Sequence, residues 1–116
     1  MIEEINEPDL GKIVKENNIV IVDYSAVWCG PCRFQHLILE RLVKKYKDKV
    51  KIVTMDIDKN IQYAKKINIF AVPTLQIYHK GKVLELSEGS QDGDRFIGVQ
   101  SDEILLKICD KLLNSE

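Results

Sequence analysis

A run of apolar residues at 19–22 is followed closely by the motif W-C-G-P-C at 28–32 and then by a helical pattern from Phe34 to about Tyr46. Consecutive apolar residues are typical of a strand that is covered on both faces. This order places Cys29 where a strand ends and a helix begins. Because a helix N-terminus carries unpaired N–H groups and partial positive charge, it favours a thiolate over a thiol. The sequence therefore predicts that Cys29 is a nucleophile at the exposed end of the helix.

The spacing of the two cysteines allows a disulfide within one short loop. Gly30 lets the chain turn tightly, and Pro31 sets φ for the first helical turn without the loss of a needed N–H group. We expect Cys32, about one turn further along, to be shielded and to attack Cys29 once a mixed disulfide has formed. The alternative is two small buried cysteines that are neighbours by chance.

The rest of the chain predicts an α/β fold with a mixed sheet between helices. A strand–helix–strand order from 19 to 57 predicts a parallel pair with a right-handed crossover. At 116 residues, we expect residues 1–116 to form a single domain. The predicted elements are strands at 2–5, 19–24, 50–57, 74–78 and 82–86, and helices around 10–14, 34–46, 61–67 and 101–113.

Two of these helices carry apolar stripes that predict buried faces. Cys109 belongs to the second stripe, so we interpret it as a core residue. The stripes are Phe34, Ile38, Leu42 and Tyr46 in the first helix, and Ile104, Leu105, Ile108, Cys109, Leu112 and Leu113 in the last.

Composition excludes several classes of function. A net charge of −1 gives no reason to expect nucleic-acid or membrane-surface binding. Residues 1–4 are acidic and lack the features of a signal peptide, and we expect no membrane span. Three cysteines, two of them in one CxxC, favour a redox motif in a reducing cytoplasm over a secreted disulfide framework. His36 and His79 are isolated, so we expect no metal site.

The chain resembles the thioredoxin family. The resemblance rests on W-C-G-P-C at 28–32, on Val72-Pro73-Thr74 before a strand, on Gly98-Val99 and on a C-terminal amphipathic helix, in that order. It implies the thioredoxin fold, a central mixed β-sheet flanked by helices on both faces. Gly-Pro between the cysteines is the dipeptide of the family's reducing members, so the resemblance favours reduction of substrate disulfides.

The resemblance also implies which residues lie around the two cysteines. The matching proline in the family is cis and faces the cysteines, which reverses the trans isomer expected for Pro73 from sequence alone. The backbone of Val72 would pair with an extended substrate, a tolerant mode of recognition. The alternative for Trp28 and Ile97 is core packing. The expected apolar docking residues are Trp28, Val72, Pro73, Ile97, Gly98 and Val99.

Asp23 is a carboxylate in a strand that otherwise predicts full burial, and such burial is costly without a role or a partner. The matching family residue accepts and returns the proton of the resolving thiol, and the resemblance implies the same for Asp23 and Cys32. The alternative is a strand-end aspartate in solvent. Thr54 stands where a lysine commonly partners that aspartate, so we expect Asp23 to be protonated more easily.

Two further departures from the family lie near the site. Ser25 replaces a common tryptophan, and the connection at 84–94 is longer than usual. Within it Leu84 and Leu86 predict an extended hairpin, and 87–94 predicts an acidic loop. That loop either tunes the choice of partner or is a tolerated insertion.

The sequence therefore predicts a monomeric dithiol oxidoreductase that reduces disulfides of cytosolic proteins. We expect no cofactor besides the redox-active disulfide Cys29–Cys32. By resemblance, electrons come from a thioredoxin reductase that uses NADPH or ferredoxin. One alternative is a specialised relative with a dedicated client or an isomerase bias, and another is a non-catalytic binding module.

Overall fold

The computed structural model describes residues 2–85 and 93–115. Strands alternate with helices as far as Lys66, and three strands then precede the last helix. The elements in order are β1 (Glu3–Ile5), α1 (Glu7–Glu16), β2 (Ile19–Ser25), α2 (Gly30–Tyr46), a short 3-10 helix (Lys47–Lys49), β3 (Lys51–Asp56), α3 (Ile61–Lys66), β4 (Thr74–His79), β5 (Lys82–Val83), β6 (Phe96–Ile97) and α4 (Asp102–Asn114).

Strand β2 lies in the middle of a mixed sheet. It pairs with β3 in parallel and with β4 in antiparallel orientation. Beyond β3 lies β1, also parallel, while β5 and β6 both pair with β4 in antiparallel orientation. The parallel β2–α2–β3 unit and the mixed sheet confirm the predicted fold class.

The two faces of β2 contact different helices, as its unbroken burial predicted. Ile19 and Ile21 pack on the face covered by α2 and α4. Val20, Val22 and Tyr24 pack on the face covered by α1 and α3. Because side chains alternate along a strand, Asp23 lies on the same face as Ile19 and Ile21, which is the face that α2 covers.

The predicted stripe of α2 is wrong at its first position. Phe34 is 68% exposed, and the neighbouring Gln35 is fully buried in its place. Successive helical residues are about 100° apart, so only one of these two side chains can face the sheet. The hydrogen bonds of Gln35, described below, explain why the polar residue takes the inner position.

The stripe of α4 and the hairpin also differ from expectation. Leu105 and Cys109 are buried, which confirms Cys109 as a core residue, but Ile104 is exposed because it lies one position off their line. Strand β5 ends at Val83 rather than 86, although the Leu84 N–H still donates to the Ile77 carbonyl at 2.6 Å. Residues 86–92, which include Leu86 and most of the predicted acidic loop, lie outside the described residues.

Candidate active site

Cys29 and Cys32 form a disulfide at the N-terminus of α2. Cys29 is the N-cap residue, in extended conformation, and its Sγ accepts a hydrogen bond from the Cys32 N–H at 3.1 Å. Gly30 and Pro31 form the first turn of the helix and are exposed. The sulfur of Cys29 thus lies at the positive end of a 17-residue helix, where negative charge is stabilised.

The expectation that Cys29 is exposed is wrong for this oxidised form. Only 4% of Cys29 and 3% of Cys32 are accessible to solvent. Both pack in a small cluster with Ala26, against the partly buried Ile57 and Val72. The Val72 carbonyl oxygen lies 3.6 Å from Cys29 Sγ, so the loop before β4 closes over the sulfur.

The segment opposite the cysteines turns at Val72 and Pro73, whose peptide bond is cis. Pro73 itself is buried, so it adds little exposed area to the apolar docking residues expected from the sequence. Its carbonyl accepts a hydrogen bond from the Gly98 N–H at 2.9 Å. Pairing of Thr74 with Ile97 brings β6 alongside this turn. The turn at Val72 therefore lies against the disulfide, and β6 lies beside that turn.

The side chains expected to dock a substrate form the rim of the site. We call Trp28, Val72, Ile97, Gly98 and Val99 the docking surface. Trp28 is 68% exposed, and Ile97 and Val99 are also exposed, so core packing is the wrong interpretation for Trp28 and Ile97. Val72 and Gly98 are half-buried. The indole Nε1–H of Trp28 donates to Asp58 Oδ2 at 2.8 Å, which orients the ring.

Sequence reasoning missed two exposed apolar neighbours of this surface. Phe70 is 85% exposed and lines one open cleft together with Ile97, and Val27 precedes Trp28 and is also exposed. The available signal was position, since each lies within two residues of a docking residue. Large apolar side chains in contact with water near a reactive centre are typical of binding surfaces.

Asp23 is buried in β2, so the interpretation as a solvent-exposed aspartate is wrong. Thr54 Oγ1 donates to Asp23 Oδ2 at 3.4 Å, and Oδ1 has no hydrogen-bond partner among the residues that the structure describes. Burial raises the pKa of Asp23 to about 7, and the Thr54 hydrogen bond lowers it only in part. The carboxyl can therefore gain or lose a proton near neutral pH.

Gln35 is a second polar group buried beside the site that sequence reasoning missed. Its Nε2 donates to the Gln100 carbonyl at 3.1 Å, and its Oε1 accepts from the Gln100 N–H at 2.6 Å. These bonds join α2 to the segment that follows the docking surface. The sequence signal was weak, because a glutamine beside apolar residues normally indicates an exposed position.

Cys109 differs from the paired cysteines in its position within the last helix and in its bonding. It is fully buried in α4 and forms no disulfide. Burial, with a smaller effect of Asp110, raises the pKa of its thiol to about 12. A thiol in this environment remains protonated and inert at neutral pH.

Residues 2–85 and 93–115 contain neither a cluster of metal-ligating side chains nor a membrane-spanning helix. No three His, Cys, Asp or Glu side chains come together there in a way that could hold a metal ion. No helix in the same ranges has the length and apolarity needed to span a bilayer.

The family model described as Thioredoxin matches residues 2–100. The chain belongs to the thioredoxin family. The thioredoxin of Staphylococcus aureus strain Mu50 is 34% identical over 98 residues, which cover 84% of this chain and 86% of that protein. This family membership confirms the resemblance found in the sequence.

Solved structures agree with the assignment to the thioredoxin family. Plasmodium falciparum thioredoxin superposes with a TM-score of 0.75 at 27% identity, covering 95% of this chain and 98% of that one. Chloroplastic thioredoxin z gives a TM-score of 0.82 at 24% identity, covering 97% and 95% of the two chains, and shows the shared fold. With its dithiol motif, this thioredoxin-family chain is a thiol-disulfide oxidoreductase that reduces disulfides in client proteins.

Proposed function

We propose that Cys29 attacks the disulfide of a client protein and that Cys32 resolves the mixed disulfide. The observation that carries this proposal is the Cys29–Cys32 pair at the N-terminus of α2, with Cys29 as the N-cap residue. The helix N-terminus stabilises the thiolate, which is the attacking form. Cys29, at the cap, has its sulfur 3.6 Å from the Val72 carbonyl oxygen of the docking surface, and Cys32 is the first buried residue inside the helix.

The reaction transfers two electrons to the client. The Cys29 thiolate forms a bond to one client sulfur, and the other client sulfur leaves as a thiolate that takes a proton. The Cys32 thiolate then bonds to Cys29 Sγ, and the Cys29–client bond breaks to release the second client thiolate. The client ends as a dithiol, and the chain ends in the oxidised form described here.

Asp23 is the proposed proton acceptor for Cys32. Its carboxyl belongs to the face of the sheet that α2 covers, and its pKa of about 7 suits exchange of a proton near neutral pH. Ionised Asp23 would take the proton of the Cys32 thiol as the mixed disulfide is resolved. Thr54 Oγ1 lies 3.4 Å from Oδ2 and 3.1 Å from the Asp23 backbone carbonyl oxygen, so its one proton is shared between these two acceptors.

Asp23→Asn is expected to slow release of the client from the mixed disulfide, because an amide cannot accept the proton of Cys32. Single-turnover release of a fluorescent peptide, measured from pH 6 to 9, tests this result. Asp48→Asn, at an exposed position far from the site in the 3-10 helix, is the matched control. An unchanged rate and pH profile for Asp23→Asn would remove Asp23 from the mechanism.

The docking surface is proposed to bind extended segments of client proteins. The loop at Val72 lies against Cys29, and the apolar side chains of Trp28, Ile97 and Val99 are exposed to solvent. Main-chain pairing at Val72 and apolar contacts around it would accept many sequences. This tolerance suits a reductant with several clients.

We further propose that the redox-active disulfide is the only redox group and that an external thioredoxin reductase, linked to NADPH or ferredoxin, regenerates the dithiol. The chain would act in electron transport as a single-domain monomer in the cytoplasm. The single CxxC and the unpaired, buried Cys109 support a reducing compartment.

Catalytic amounts of the protein are expected to accelerate reduction of insulin by dithiothreitol, as followed by precipitation of the insulin B chain. The same acceleration is expected with NADPH and a thioredoxin reductase in place of dithiothreitol. No acceleration over dithiothreitol alone would contradict the proposed mechanism. A reduction potential in the range of oxidising relatives would favour the isomerase-biased alternative.

A further inference from the structure

We propose that Gln35 and Gln100 are positioning residues that hold the docking surface in register with the disulfide and so set the affinity for protein clients. This inference rests on the proposed function, because it assumes that clients bind at the docking surface. Neither residue touches the sulfurs in the proposed reaction. Their role is to fix the distance between α2, which carries the cysteines, and the segment Ile97–Val99.

We call the hydrogen bonds made by Gln35 and Gln100 the clamp. Its first half is the side chain of Gln35. It lies one turn beyond Cys32 on α2 and is fully buried. Both polar ends of the amide bond to the backbone of Gln100, at 3.1 and 2.6 Å. This paired arrangement has the donor and acceptor pattern of a neighbouring β-strand, so it fixes direction as well as distance.

The second half is the side chain of Gln100. Its Nε2 lies 3.4 Å from the Ile97 carbonyl and 3.2 Å from the Gly98 carbonyl, and donates to both. Gly98, which has a φ of +88°, in turn donates its N–H to the Pro73 carbonyl at 2.9 Å. The contacts thus run without a break from α2 through the docking surface to the turn beside Cys29.

Stability alone does not account for an amide at position 35. The next inner positions of α2 are Leu39 and Leu42, which bury their side chains with no polar atoms to satisfy. A buried amide is costly unless both of its ends are paired, so it stabilises one geometry rather than simply filling space. The Arg41–Asp102 ion pair at 3.2 Å already joins α2 to α4. The clamp therefore acts chiefly on the segment before α4.

The test compares a protein disulfide with a small one. Insulin must contact the docking surface, whereas 5,5′-dithiobis(2-nitrobenzoic acid) needs only access to Cys29. For Gln35→Met, which keeps the length but loses both hydrogen bonds, we expect the KM for insulin to rise about tenfold, equivalent to about 1.4 kcal/mol. The kcat for insulin and the rate with the small disulfide should remain near wild type. Gln62→Met, at an exposed position of α3, is the matched control.

A second variant separates positioning from packing. In Gln35→Glu, the protonated acid can still donate to the Gln100 carbonyl and accept from its N–H, but the carboxylate cannot donate. We expect the ratio of insulin to small-disulfide activity to recover as pH falls and to drop as pH rises, relative to wild type at each pH. Titration of Asp23 occurs in both proteins, so it cancels in this comparison. A loss that is equal for insulin and for the small disulfide at every pH would show that the introduced carboxylate only disturbs packing and would contradict the positioning role.

Gln100→Ala extends the test if Gln35 variants fold poorly. It removes the bonds to Ile97 and Gly98 but leaves the backbone atoms that Gln35 binds. We expect a rise in the insulin KM with the small-disulfide rate unchanged. Wild-type ratios in all three variants, or equal losses with both substrates, would overturn the proposal. Failure of the wild type to reduce either substrate would instead overturn the proposed function.

Discussion

Replacing Cys29 by serine is expected to abolish turnover, with a loss of at least about 1,000-fold in insulin reduction. A serine hydroxyl does not ionise at neutral pH even at a helix N-terminus, so no nucleophile remains at the cap of α2. Cys32→Ser should also fail to turn over, but for a different reason. Its Cys29 can still attack once, and the mixed disulfide then persists because no resolving thiol follows.

The two variants are distinguished by mass spectrometry of the non-reduced protein after incubation with a client. Cys32→Ser should carry a covalently bound client, and Cys29→Ser should carry none. Capture of many clients from a cell extract favours a general reductant, and capture of one favours the specialised alternative. A stable adduct on Cys29→Ser would reverse the proposed order of the two cysteines.

Cys109→Ser is the matched control for both variants. Cys109 is fully buried and its raised pKa keeps the thiol protonated, so its loss should not affect turnover. Iodoacetamide at about pH 6 should modify Cys29 of the reduced protein before Cys109, because alkylation requires an accessible thiolate. Modification of Cys109 first would contradict the assignment of Cys29 as the nucleophile.

Asp23→Asn is expected to stabilise the oxidised protein at alkaline pH by an amount on the order of 4 kcal/mol, an upper limit set by the pKa shift. Burial raises the pKa of Asp23 from 3.8 to about 7, so between these values the folded chain holds a proton that the unfolded chain has released. Stability due to Asp23 therefore falls as pH rises through this window. The asparagine is neutral throughout and lacks this dependence.

The difference in unfolding free energy between Asp23→Asn and wild type, measured with guanidinium chloride from pH 4 to 9, tests this result. It should be near zero at the acidic end, rise between about pH 4 and 7, and level off above. The difference cancels the titration of other carboxyls. Asp48→Asn, exposed in the 3-10 helix, should give no such curve. A flat difference for Asp23→Asn would show that its pKa is not raised.

Much of the core could be predicted because the signals are local. The apolar residues of β2 and the cysteine of α4 were placed correctly, since unbroken apolar runs and helical stripes indicate burial within a short window. The buried carboxylate at Asp23 was predicted for the same reason. Burial of a charge costs free energy, and a charged residue within a strand that is covered on both faces can be recognised from the sequence alone.

The errors come from partners that are distant in sequence. Periodicity placed Phe34 inside and did not identify Gln35 as buried, because hydropathy does not register a backbone 65 residues away that satisfies the amide. The sequence also predicted an exposed Cys29, because it does not reveal that the carbonyl of Val72, 43 residues later, lies against the sulfur. The exposure of Phe70 follows from the path of the loop before Pro73, and its signal in the sequence was its position near Val72.

The amino-acid sequence by itself determined the reactive centre: two sulfurs, a tight turn and a helix start that are contiguous in the chain and depend only on local preferences. Only the tertiary structure decided what surrounds it, namely how deeply the disulfide is buried, where the docking surface lies and which amide holds that surface in place. Those features arise where separate segments meet across the sheet, and their approach depends on how the whole core packs.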